Sequence, residues 1–273
     1  MEGNRVLVVG GGMVGAALAV DLGRRGIPVR VLESRPPARP AGEEPPRLRV
    51  SALNRRSIEY LEAIGAWPAL DGERLADFDE VMTWDIAGGG RLHFSADELG
   101  LDRLGLFVEN DHLQAALLET AASLSAVQLD APAGALDIQP GPNGPRLTLE
   151  GEGELEPALT VAADGAASRL RDTAGISVWE GDYGQHAVVA SVRPRPAAGR
   201  QTWQRFTPGG PQGRGAEPDG GADEEQQQKR DDQHKDKVER RDLPHCARGD
   251  ALGEGGVDDE NNDAIAKGLG PLG

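Results

Sequence analysis

The sequence predicts an α/β fold: a parallel sheet flanked by helices, part of an antiparallel sheet, and a C-terminal tail without a core. Three observations carry this prediction. The apolar run Val6-Leu7-Val8-Val9 breaks into Gly10-Gly11-Gly12-Met13-Val14-Gly15 near the start of the chain. Short apolar runs and helical periodicities fill the sequence from there to about Phe206. Past Pro211 the composition changes and the apolar residues thin out.

The first unit is the most informative. A buried strand is predicted over 5–9, an apolar, Ala-rich helix over 13–24, Gly26 as its stop, and a second strand over 28–32 closed by Glu33. That is a complete βαβ unit of Rossmann type, with an acid 18 residues past the last glycine of a Gly-x-Gly-x-x-Gly spacing. Each glycine then has a physical task. Gly10 makes the tight turn, Gly12 lets the backbone approach a pyrophosphate, and Gly15 lets helix and strand pack closely. Met13 and Val14 complete the turn at the helix N-terminus, where free N–H groups and the helix dipole favour an anion. Glu33 is placed to accept a hydrogen bond from an adenosine ribose hydroxyl. An ordinary Gly-rich turn is the alternative. The two strands, the helix and the acid around it favour a dinucleotide site.

The remaining elements follow in order. Ser34 to Leu48 is rich in Pro and Arg and reads as a loop too long and polar to be core. Leu53, Ile58, Leu61 and Ile64 recur at helical spacing, which predicts a helix over 51–64 with Gly65 as its stop. Val81 to Ile86 and Arg91 to Phe94 flank Gly88-Gly89-Gly90 and predict an antiparallel hairpin. Leu104 to Val108 reads as a strand, followed by a helix from Asp111 to about Leu124 capped by Asn110 or Asp111. Further strands are expected at 127–129, 135–138, 146–149 and 159–163. Residues 78–95 and 183–206 are expected to contribute to one antiparallel sheet. Trp84, Trp179 and Trp203 read as core or domain-interface residues.

Composition bounds what the chain can do. The formal net charge of −16 offers no basic face for phosphates, so no nucleic-acid partner is expected. Cys246 is the only cysteine, which excludes an intrachain disulfide and points to a reducing compartment. The N-terminal apolar run belongs to the glycine-turn unit and reads as neither signal peptide nor membrane span. No cluster suggests a metal site.

The break near Pro211 is sharp. All ten aromatic residues lie at or before Phe206, and all four lysines lie after it. From Gln212 onward, Leu, Ile, Val and Phe number seven in 62 residues, too few to bury a core. Residues 1–211 are therefore read as the folded domain and 212–273 as a tail without a stable fold. Two origins stay open: a natural polar extension, or a change of reading frame in the DNA near Pro211.

A second informative segment is Val161-Ala162-Ala163-Asp164-Gly165-Ala166-Ala167-Ser168-Arg169-Leu170-Arg171. A strand delivers Asp164, Gly165 allows a turn, and Ser168 caps a helix carrying Arg169 and Arg171. Asp164 could serve only as part of that cap. Strand-Asp-Gly-Ala-x-Ser-x-x-Arg after an N-terminal Gly-x-Gly-x-x-Gly resembles the flavin-dependent aromatic hydroxylases. Arg49-Val50-Ser51-Ala52-Leu53-Asn54, Val108-Glu109-Asn110 and Thr202-Trp203-Gln204-Arg205-Phe206 narrow the resemblance to the ubiquinone-biosynthesis hydroxylases that oxidise polyprenylated phenols. It covers residues 4 to about 211.

The resemblance implies FAD as cofactor, NADPH or NADH as co-substrate, O2 as oxidant and a polyprenylphenol as substrate. Gly10, Gly12 and Gly15 would line the FAD pyrophosphate and Glu33 its ribose. Arg49 would lie on the flavin side, and Asp164 with Gly165 near the ribityl and pyrophosphate region. Arg49 as an ordinary surface arginine and Asn110 as a helix cap are the alternatives at those positions. A cytoplasmic protein is implied, with peripheral contact at the inner face of the membrane or with a quinone-biosynthesis complex as further partners.

No residue stands out as an acid–base catalyst. The family's second flavin motif, Gly-Asp-Ala-Ala-His with a Pro and a Gly-rich loop, is not matched. Gly249-Asp250-Ala251 is followed by Leu252-Gly253-Glu254 and sits in polar sequence. The expected outcome is an impaired hydroxylase. The alternatives are an inactive truncated product with partial FAD binding, another flavin-dependent aromatic hydroxylase, or a plain NAD-binding dehydrogenase, which Asp164-Gly165 disfavours.

Overall fold

A computed structural model describes residues 5–40, 44–133, 137–141, 146–149, 153–192 and 199–215, all within one compact unit, Met1–Gln226. In chain order its elements are β1 (Val6–Val9), α1 (Met13–Arg24), β2 (Val29–Leu32), β3 (Val50–Asn54), α2 (Arg55–Ala63), β4 (Leu75–Phe78), β5 (Glu80–Asp85), β6 (Arg91–Ser95), β7 (Gly105–Glu109), α3 (Asn110–Ala122) and β8 (Val127–Asp130). There follow β9 (Asp137–Gln139), β10 (Arg146–Leu149), β11 (Gly153–Leu155), β12 (Leu159–Ala162), α4 (Arg169–Thr173), β13 (Gln201–Thr207) and β14 (Gly210–Arg214).

A wholly parallel sheet, ordered β12-β1-β2-β8, is the foundation. Its two central strands are near-continuous apolar runs because both faces are covered. Val8, Val29 and Val31 pack on Ala19 of α1. Leu7, Val9 and Leu32 turn the other way, onto Leu147, Leu149, Leu155 and Leu170. The first three of those partners come from the antiparallel β11-β10-β9 layer. Each such leucine or valine taken fully from water stabilises the fold by about 1.5–3 kcal/mol.

A second core joins α1, α2 and α3 to the antiparallel β3-β7-β4 sheet through Ile58, Leu61, Leu106, Val108, Leu113 and Leu117. The fourth sheet is ordered β14-β13-β5-β6. The expectation of one antiparallel sheet from 78–95 and 183–206 is met only in part, by β5, β6 and β13. β5 and β6 pair antiparallel, as do β13 and β14, but β13 runs parallel to β5, with Trp203 opposite Met82. The sheet is mixed.

Several boundaries differ from the sequence reading. Residues 50–54 are a strand paired with β7, and the helix starts only at Arg55. Asn54 caps it by accepting the Ser57 N–H at 2.9 Å. The 3.6-residue spacing of Leu53 with Ile58 and Leu61 extended the helix too far back; pairing with a strand more than fifty residues downstream overrides it. β4 and β11, both short, were not anticipated. Helix α3 takes in Asn110 and Asp111, and Glu109 precedes it without a side-chain cap. Residues 183–192 form no strand, and Trp179 is 89% exposed rather than core. The neighbouring residues 193–198, residues 135–136 of the strand expected at 135–138, and the tail from 216 onward lie outside the described residues. The boundary expected at Pro211 is passed by β14, in which Gln212, Gly213 and Arg214 pair with Arg205, Gln204 and Trp203.

Candidate functional site

The carboxyl ends of β1 and β12 lie side by side, which brings the two glycine-bearing turns together. Gly10 has φ +101°, and a Cβ there would sit 2.2 Å from the Ala163 carbonyl oxygen. At Gly15 a Cβ would lie 2.0 Å from the Gly10 carbonyl oxygen. Both glycines are therefore fixed by the chain's own packing. Gly11 is fixed too, since its Cβ would press on Glu33 Cβ at 2.9 Å and on Leu118 at 3.1 Å. The sequence reading gave Gly11 no task.

Gly12 is different. Its φ of −61° suits any residue, and a Cβ there would meet nothing within 4 Å. Neither backbone nor packing asks for glycine, and the space it leaves open stands over the start of α1. That helix end has no side-chain cap and no acid in its first turn. Its first N–H groups are thus left for an anion. A pyrophosphate fits this donor set and this space. Val14 in the first turn is 80% exposed, whereas Met13 is partly buried against the helical core.

Glu33 is nearly buried, and its carboxylate faces the turn: one oxygen accepts the Gly11 N–H at 2.8 Å and the other the Arg35 N–H at 2.7 Å. From the opposite side Gln114 of α3 donates to the Gly11 carbonyl at 2.9 Å. Gln114 carried no sequence motif; only the docking of α3 on α1 reveals it. Asp164 adjoins Gly10, with its N–H 2.9 Å from the place of a Gly10 Cβ. One carboxylate oxygen accepts the Ser168 hydroxyl at 2.6 Å, and Ser168 in turn caps α4 through the Arg171 N–H at 3.0 Å. Asp164 is therefore part of a cap, as its plainer reading held, while also lying at the glycine turn. Gly165 follows with φ +87° and open space around it.

Arg49 stands apart from this group. It is exposed, its guanidinium has no hydrogen bond or ion pair among the described residues, and its carbonyl accepts the Asn110 N–H at 2.9 Å. Asn110 and Gln114 are one turn apart on α3, about 6 Å along its axis. Arg49, just ahead of β3, and the glycine turn thus adjoin successive turns of one helix. An open cleft of about 340 Å³ lies alongside, walled by Met13, Ala17, Leu53, Tyr60, Leu113 and Leu117.

The family described as FAD binding domain matches residues 4–241, most of the chain. The chain belongs to that family. Its cofactor is FAD, and the residues at the glycine turn fit the ADP half of that molecule. The chain is 35% identical over 208 residues to 3-demethoxyubiquinol 3-hydroxylase of Escherichia coli, covering 76% of this chain and 53% of that one. It is 32% identical to the ubiquinone hydroxylase UbiL of Rhodospirillum rubrum, with 76% and 47% covered. To the mitochondrial ubiquinone biosynthesis monooxygenase COQ6 of Mus musculus it is 33% identical, with 76% and 46% covered. The chain spans about half the length of these relatives. Among solved structures, PqsL, a probable FAD-dependent monooxygenase from Pseudomonas aeruginosa, superposes with a TM-score of 0.58 at 23% identity, covering 74% of this chain and 54% of that one. That likeness concerns the fold. Among the described residues no helix is long and apolar enough to cross a membrane, and no group of His, Cys, Asp and Glu could hold a metal.

Proposed function

We propose that this chain is the FAD-binding half of a monooxygenase acting on a polyprenylated phenol in ubiquinone biosynthesis, and that as written it hydroxylates poorly. The observation that carries the reading is Gly12: a glycine that the protein's own backbone and packing do not require, facing an uncapped helix end. The pyrophosphate of FAD would lie there on the first N–H groups of α1. Glu33 would meet the adenosine ribose, already oriented by the Gly11 and Arg35 amides. Asp164 and Gly165 would flank the ribityl side, and Arg49 would reach the cofactor from the residue just before β3.

When bound, FAD supplies the redox chemistry: two electrons from NADPH or NADH and transfer of one oxygen atom of O2 to an electron-rich ring. The chain's own part is to bind, orient and shield. Its relatives support the substrate class, since each is named for ubiquinone biosynthesis or for hydroxylating its precursors. A polyprenylated ring partitions into membrane, so we place the protein against the inner face of a membrane or in a quinone-biosynthesis complex, approached through a surface. The second flavin motif is not matched within residues 1–273, so with these residues alone the ring end of the cofactor would be held by fewer groups and would be more open to water.

The test is to purify residues 1–273, titrate FAD, and assay NAD(P)H oxidation with a prenylated phenol. Weak flavin retention and hydrogen peroxide in place of hydroxylated ring are expected. Stoichiometric hydroxylation would show that the missing motif is dispensable and overturn the impairment. Complete failure to bind FAD or ADP would overturn the cofactor placement.

A further inference from the structure

Arg74 and Glu109 form a buried ion pair for which the cofactor contacts above give no use. Their side chains are 8% and 4% exposed. Arg74 stands at the start of β4, with Nε 2.8 Å from one Glu109 oxygen and a terminal nitrogen 2.9 Å from the other. A two-pronged pair of this kind is geometrically exacting. Its desolvation is costly, so stability alone is a weak reason for it.

Two further hydrogen bonds of the pair go to the stretch before β3. Glu109 also accepts the backbone N–H of Arg47 at 2.9 Å, and Arg74 donates to the Glu44 carbonyl at 3.2 Å. Next along the chain, the Asn110 N–H holds the Arg49 carbonyl, and the Ser51 hydroxyl donates to Asn110 Oδ1 at 2.7 Å. On the outer side the Arg47 guanidinium meets Asp111 at 2.6 Å. Residues 44–49 carry no helix or strand before β3, yet Glu44 and Arg47 are tied to groups just ahead of β4 and α3.

We propose that the Arg74–Glu109 pair is a latch that fixes the 44–49 segment and thereby positions Arg49 toward the cofactor. The positioning half of this statement rests on the placement of Arg49 proposed above; the latch itself does not. Arg74 and Glu109 touch no cofactor and are positioning residues. Ordering a loop beforehand lowers the conformational entropy lost on binding, which is how such a pair acts on affinity without contact.

Two variants test it in the full chain. Glu109→Gln leaves Arg74 buried without its counter-charge and could unfold the protein. The double variant Arg74→Met/Glu109→Leu removes both charges together, which is often tolerated in a core. Neither keeps the carboxylate that accepts the Arg47 N–H. Trypsin reads the latch without any ligand. Arg35 and Arg39 each precede proline and resist cleavage, so Arg47 and Arg49 are the cleavable sites of this segment. With the latch removed, cleavage after Arg47 and Arg49, followed by mass spectrometry, should rise tenfold or more while the melting temperature of the double variant stays near the parent's. Unchanged cleavage at these two bonds overturns the latch.

FAD titration reads the positioning. The double variant should bind FAD about tenfold more weakly than the parent, and the difference should fall below twofold when both carry Arg49→Ala. An equal loss with and without Arg49 overturns positioning and leaves the pair a structural one. Should Arg49→Ala itself leave FAD affinity unchanged, the placement of Arg49 fails and positioning with it, while the cleavage result still decides the latch.

Discussion

The parallel β12-β1-β2-β8 sheet and the mixed β14-β13-β5-β6 sheet each have four strands, but they are covered to different degrees. In the first, β2 is buried at every position and β1 at three of four. Apolar side chains from α1 and from β10 and β11 cover its two faces. In the second, Leu92, Phe94 and Phe206 are 61%, 52% and 44% exposed. Val81 alone of its residues packs into a small apolar group, with Ala76, Phe78, Leu104 and Phe107. On its other face Trp84 and Trp203 lean together at 5.5 Å, flanked by Arg91 and Arg205, and remain only half-buried. The difference teaches that the parallel sheet is covered on both faces within the described residues, whereas the mixed sheet keeps large apolar side chains in the open. Exposed apolar surface of this kind is what a further layer of structure or a partner would cover.

Substitutions at the glycine turn give the largest expected effect. Gly15→Val places a branched side chain where even a Cβ lies 2.0 Å from backbone oxygen, and should abolish the cooperative melt, a loss above about 4 kcal/mol. Truncations compare the two sheets directly. Leu7→Ala in β1 should cost about 2–5 kcal/mol by chemical denaturation. Phe94→Ala in β6 should cost less than about 1 kcal/mol, as a half-exposed side chain does. Equal losses at the two positions would erase the contrast.

A smaller effect is pH-dependent. His112 of α3 is fully buried, with Nε2 accepting the Asp71 N–H at 2.9 Å and Nδ1 unpartnered. Burial first, and then the nearby Arg39 charge, holds its pKa below the ordinary 6.5; Glu109 and Asp71 oppose this and Arg74 adds to it. The unfolded chain therefore takes up this proton before the folded one. The stability tied to neutral His112 is present above pH 6.5 and is lost as pH falls from there toward the folded pKa. The steepest slope is about 1.4 kcal/mol per pH unit. Denaturation midpoints between pH 7 and 5 should fall less in His112→Gln, which keeps a side-chain acceptor but does not titrate. Parallel pH profiles would remove His112 from the account.

Much of the region around the parallel sheet was legible because its signals are local. The strand, glycine turn, helix and acid of residues 6–33 lie within one another's reach along the chain, and each was placed to within a residue. The hairpin around Gly88–Gly90 and the cap at Ser168 were legible for the same reason. What was missed is non-local. β3 passed for helix because its partner strand, β7, lies more than fifty residues away. The expected cap of α3 at Asn110 or Asp111 fails because those side chains are engaged elsewhere: Asn110 with Ser51, and Asp111 with Arg47. Glu109, the residue in the cap position, is committed to Arg74. Gln114 and Gly11 belong to the site only because α3 docks over the turn. The parallel pairing of β13 with β5 leaves no mark in either strand.

The most direct measurement of the central claim uses Gly12→Ala. Since its Cβ meets nothing in the protein, the variant should melt within about 1 kcal/mol of the parent, the small cost of alanine at a helix start. Its methyl group would nonetheless stand in the space assigned to the pyrophosphate. Titration of parent and variant with FAD and with ADP, alongside thermal melts, should show at least tenfold weaker binding of both ligands with stability unchanged. Unaltered binding of FAD and ADP by a folded Gly12→Ala variant would contradict the placement of the cofactor at this turn.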